Sequence, residues 1–107
     1  MAREKFQTLT EQMFYSLLCL RQERCGADVM AQVDQMTRGR VVIGPGTLYN
    51  LLDSFLTAGM IEETAVEGRR RSYRITAAGE RALAEEAERL ETLLGDYRRF
   101  RVEGETR

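Results

Sequence analysis

The sequence predicts a mainly α fold with one small β-hairpin and one long C-terminal helix. Three observations point that way. Apolar residues recur at helical spacing through the first half, in short blocks parted by Gly- and Arg-containing turns. After Gly59 the period falls from 3.6 to 2 over two strand-length runs either side of Glu67-Gly68. Beyond Thr76 the helical spacing resumes and persists to Phe100. With 107 residues, 43% of them hydrophobic, the chain suffices for one domain with a modest core.

Taken in order, residues 1–7 read as a polar lead. Thr8 or Thr10 caps the first helix, and Thr8 with Glu11 has capping-box spacing. This helix is expected over Glu11–Gln22, with Met13, Phe14, Leu17, Leu18 and Leu20 making a wide apolar face. A turn at Arg24-Cys25-Gly26 leads to a second helix over Ala27–Met36. After the turn Thr37–Arg40, the β-branched run Val41-Val42-Ile43 is expected to form one short strand. The third helix has clear bounds: Pro45 suits the first helical position and Gly59 the left-handed stop. Met60–Val66 and Arg70–Ile75 form the hairpin, with an arginine-rich tip. Thr76 caps the last helix, Ala77 to Phe100, and residues 101–107 are a polar tail.

The net charge of −1 hides a pattern. Arg38 to Arg40 and Arg69 to Arg74 hold six Arg and no acid. The chain has no His, which removes Ser–His and Cys–His nucleophile pairs. Two Cys and no His cannot complete a zinc site. No catalytic residue, metal or cofactor is therefore expected. Cys19 reads as core; Cys25, beside Arg24, is a weaker candidate for a redox switch than for a small partly buried thiol. No signal peptide or bilayer-length apolar run is visible, so a soluble cytoplasmic protein is expected.

Three helices, a hairpin and a long helix in this order predict a winged helix-turn-helix, residues 1–76, followed by a dimerisation helix and tail, 77–107. In that fold the third helix enters the major groove and the wing flanks it. The third helix buries Leu48, Leu51, Leu52 and Phe55 and turns Thr47, Asn50 and Ser54 outward, with Tyr49 beside them. A solvated face would carry Lys and Glu; short donors and acceptors suit base edges. Arg69, Arg70 and Arg71 at the hairpin suit phosphates, although such a run is more often a solvated turn. Strand alternation places Arg70 opposite Arg69 and Arg71. The alternative is a winged-helix protein-interaction module that binds no DNA.

The segments Gly44-Pro45-Gly46-Thr47-Leu48-Tyr49, Gly59-Met60-Ile61-Glu62 and Gly68-Arg69-Arg70-Arg71-Ser72-Tyr73-Arg74-Ile75-Thr76-Ala77-Ala78-Gly79 resemble the PadR family of bacterial transcriptional regulators. The resemblance runs from Leu9 to about Leu94. It implies a homodimeric repressor of the short subfamily, with Pro45, Thr47, Leu48 and Tyr49 opening the recognition helix. Two departures stand out: Cys25-Gly26-Ala27 replaces the frequent His-Gly-Tyr, and Gly44 replaces Ser or Thr before the proline.

Leu83, Ala87, Leu90, Leu94 and Tyr97 are spaced four, three, four and three, which is a heptad seam. The seam is the expected homodimer contact, and a two-fold dimer suits a palindromic duplex operator. Family members sense small, often aromatic compounds near this interface. By that resemblance Met13, Phe14, Leu94, Tyr97 and Phe100 are candidate pocket residues for an aromatic or hydrophobic effector, with a filled core as the slightly favoured reading.

Overall fold

Helix α1 covers Glu11–Cys19 and is opened by Thr10, whose hydroxyl accepts the N–H of Met13. The structure, a computed structural model, describes residues 8–100; the polar lead and polar tail expected from the sequence lie outside the described residues. Strand β1 is Arg24–Cys25, helix α2 is Gly26–Thr37 and helix α3 is Pro45–Thr57. Strands β2, Ile61–Glu67, and β3, Arg70–Ile75, form the wing, and helix α4 runs Ala77–Arg99. The fold is thus mostly helical, with a three-stranded antiparallel sheet in the order β1-β3-β2.

Helix α1 stops earlier than its apolar pattern, which ran to Gln22, because its last carbonyls have other partners. The Leu20 carbonyl accepts the N–H of Ile75 in β3, and the Cys19 carbonyl accepts Nε of Arg24. The small strand is also elsewhere than expected. Val41-Val42-Ile43 is not a strand, because the Thr37 hydroxyl bonds both the N–H and the carbonyl of Val41. The third strand is instead the Arg24-Cys25 segment read as a turn; Arg24 lies opposite Tyr73 and Cys25 opposite Ser72.

The core gathers Leu17 and Leu20 of the α1 region, Val29 and Val33 of α2, Leu48, Leu52 and Phe55 of α3, and Ile61, Tyr73 and Ile75 of the wing. Helix α4 completes it with Ala82 and Leu83. Leu83, expected on the dimer seam, is 2% exposed and packs within its own chain. The uncovered part of that seam begins at Ala87. Arg21 reaches across from the end of α1 to Glu80 in the first turn of α4, at 3.0 Å.

One close approach fixes α4 to this body, and one ion pair within α4 stands beside it. Gly79 lies so close to the wing base that a Cβ there would stand 2.2 Å from the Met60 carbonyl oxygen. Glu86, 3% exposed, is gripped by two nitrogens of Arg89. That bond holds its carboxyl below the ordinary value of 4.5; burial opposes the shift and the backbone N–H of Leu9 assists it.

Gly79→Ala should therefore destabilise the protein by about 3 kcal/mol, because the obstructing atom is backbone and cannot rotate away. Gly95→Ala, in open space on the same helix, should instead add about 0.5–1 kcal/mol through helix propensity. Urea unfolding of both variants decides, and equal effects would refute the close approach.

Glu86 gives a pH test. A carboxyl depressed on folding contributes stability above its unfolded pKa and loses it as pH falls through the folded value. Glu86→Gln should thus lower Tm at neutral pH, with the gap to wild type closing below about pH 4.5. A gap that stays constant into acid would show that the carboxylate charge is not what Glu86 contributes.

Candidate nucleic-acid interface

Helix α3 begins with Gly44 as a cap that offers no side-chain acceptor and Pro45 at its first turn. Thr47, Tyr49 and Asn50 are exposed along it, and Ser54 is half-buried. Tyr49 is exposed at its rim but supported beneath. A Cβ on Gly26 would stand 3.2 Å from the Tyr49 ring and hydroxyl, so the bare backbone at the start of α2 is what the ring leans on.

The wing projects beside this helix. Glu67 pairs with Arg70, leaving Gly68 and Arg69 as a two-residue turn. The ladder shifts by one residue between Glu63 and Ala65, at Thr64, whose hydroxyl bonds Glu23 at 2.5 Å. Arg70 reaches back to Asp28 in the first turn of α2, with Nη2 3.6 Å from Oδ2. Arg71 donates to Glu63 on the neighbouring strand at 3.0 Å. Among the described residues Arg69 has no ion pair.

Between α3, the start of α2 and the wing lies an open cleft of about 690 Å³. Tyr49, Asp53, Asp28, Tyr73 and the three arginines line it, with Cys25 at its floor. The Arg70 guanidinium is held above its ordinary pKa, first by Cys25 beside it and then by the charge of Asp28. Tyr73 is pushed up, mainly by burial and then by the Glu63 charge. A cleft with three permanent cations and a tyrosine rim can take a phosphate backbone.

Of the residues singled out in the sequence, Tyr49, Arg69, Arg70 and Arg71 meet in this cleft. Thr47, Asn50 and Ser54 lie on the adjacent stripe of α3 and not in its wall. Asp28, Asp53 and Cys25 belong to the site and were not assigned to it from the sequence. Asp28 sits in the first turn of α2, where the helix dipole favours an acid, but nothing in the sequence pattern pairs it with Arg70.

A second cavity, of about 350 Å³, lies between α1 and α4 and is lined by Phe14, Tyr15, Arg40, Glu86, Arg89 and Leu90 among others. Met13 is half-buried against the core. Leu94, Tyr97 and Phe100 are exposed further along α4 and are not part of this lining. Both thiols are free and buried, and burial pushes the Cys19 thiol up despite Arg24. Among the described residues no group of three His, Cys, Asp or Glu is placed to hold a metal, and no helix is long and apolar enough to cross a membrane.

Residues 16–85 match the model of the transcriptional regulator PadR-like family. No curated protein sequence matches the chain. Among solved structures, a transcriptional regulator from Clostridium thermocellum superposes with a TM-score of 0.72 at 23% identity, covering 84% of this chain and 91% of that one. A PadR family transcriptional regulator from Eggerthella lenta gives 0.70 at 23% identity, with 78% and 75% covered. RosR from H. salinarum gives 0.62 at 22% identity, with 82% and 92% covered. At these identities the structures speak for the fold.

Proposed function

The chain belongs to the PadR-like family of transcriptional regulators, and on that premise we propose that it is a sequence-specific DNA-binding regulator, acting as a homodimeric repressor. Members of the family are regulators and not enzymes. The observation that carries the reading is the cleft that joins Tyr49 of α3 to Arg69, Arg70 and Arg71 of the wing. In this reading α3 lies in the major groove. Thr47, Asn50 and Ser54 meet base edges, while Tyr49 and the wing arginines meet the backbone.

Dimerisation is argued from α4. Ala87, Leu90, Leu94 and Tyr97, widened by Leu93 and Phe100, form an exposed apolar stripe beyond the core. Such a stripe calls for a partner, and a second copy places two α3 helices roughly 34 Å apart on one duplex face. We assign residues 1–76 to DNA binding and 77–107 to dimerisation, with Leu83 tying the two together. A small aromatic or hydrophobic effector would enter beside Phe14 and Leu90, whose cavity opens next to the seam, and Leu94, Tyr97 and Phe100 would join it only across the dimer. A cytoplasmic location follows from the role.

Arg69→Ala should weaken binding to all duplexes about equally. It should also reduce the slope of log K against log salt by about 0.9 per protomer, about 1.8 for a dimer. Titration at several salt concentrations measures both. An unchanged slope and affinity in Arg69→Ala, Arg70→Ala and Arg71→Ala alike would mean that the wing does not touch DNA, and would favour a protein-interaction module.

Wild-type protein should sediment as a dimer at micromolar concentration, and a Leu90→Glu, Leu94→Glu variant as a monomer, since burying unpaired charge is costly. A monomeric wild type would overturn the assembly.

A further inference from the structure

Two of the three wing arginines are already occupied. Arg70 is held by Asp28 and Arg71 by Glu63, and both pairs stand in water, with side chains between 34% and 62% exposed. Exposed pairs of this kind contribute little to stability. Their placement is better explained by what they face. Asp28 lines the cleft with Arg70, and Glu63 reaches Arg71 from beside the irregular step at Thr64. On the DNA-binding reading, each carboxylate occupies the guanidinium that a duplex phosphate would have to take. Asp28 is further favoured there by the N-terminal dipole of α2.

We propose that Asp28 and Glu63 act as internal stand-ins for phosphate, holding Arg70 and Arg71 until a duplex displaces them. The inference rests on the DNA-binding reading above. Exchange of one carboxylate for one phosphate is close to neutral in charge. It becomes favourable only when α3 and Arg69 are engaged at the same time. The pairs thus suppress binding to arbitrary DNA while leaving the arginines available for a well-seated complex.

The test uses fluorescence anisotropy with a random-sequence duplex, at several salt concentrations, on full-length protein. Asp28→Asn and Glu63→Gln should each bind more tightly than wild type. An arginine freed to sit about 4 Å from a phosphate in water-like dielectric is worth about sixfold in affinity per protomer. The salt slope should steepen by about 0.9 for each neutralised carboxylate. The gain from Asp28→Asn should vanish in an Arg70→Ala background, and that from Glu63→Gln in an Arg71→Ala background. Circular dichroism melts confirm that all variants are folded. Neutral variants that bind no better than wild type, with its slope, overturn the proposal and leave the DNA reading intact. A gain that survives the loss of the arginine overturns it too, since the acid would then act by general repulsion. If neither wild type nor any variant binds duplex at low salt, the DNA reading falls and this inference with it.

Discussion

The Met60 carbonyl is the point on which the architecture turns. It accepts the N–H of Thr76 at 3.0 Å, and Gly79 packs against it with no room for a methyl group. One residue earlier, the Gly59 carbonyl accepts the Thr76 hydroxyl at 2.6 Å. The end of α3, the start of β2, the end of β3 and the start of α4 all meet here. A buried carbonyl must be satisfied, and one bond satisfies it while joining α3 to both the wing and the long helix. The direction of the wing relative to α3 is set at this corner, far from its tip.

A second tie sets the opposite side. Strand β1 lies along β3, and the Leu20 carbonyl bonds Ile75, so the wing is bound to the end of α1 as well as to α3. Because α2 starts directly after β1, its first turn is carried to the flank of the wing. That is why Asp28 stands within reach of Arg70 and why Gly26 lies beneath Tyr49. The electrostatics of the cleft are thus partly a product of sheet pairing: a two-residue strand brings Asp28 and the Cys25 thiol to a surface that also holds Asp53 and three arginines.

Much of this was legible in the sequence. Pro45 and Gly59 bounded α3, Thr76 capped α4, and the change of period marked the wing, because these features are local. The long-range features were less visible. Arg24-Cys25 is too short to show alternation, and only its partner in β3 makes it a strand. Val41-Val42-Ile43 has the composition of a strand, but the Thr37 hydroxyl claims its backbone. Leu83 fits a heptad, yet the same spacing serves a helix packing on its own core. Of the cleft lining, residue types singled out Tyr49 and the arginines. The carboxylates that pair with them were hidden, since exposed charges carry no periodicity that names their partners.

Past Glu86, α4 has no core beneath it, and its apolar residues stand open. Thirteen residues remain before the helix ends at Arg99. A lone helix of that length in water is marginal, since its hydrogen bonds barely offset the entropy of ordering the backbone. Whatever covers the stripe therefore also holds those turns in helical form. Order in this half of α4 and occupancy of its surface are one linked equilibrium, and mass action governs both. The length of rigid helix this chain presents is then a function of how fully that stripe is covered.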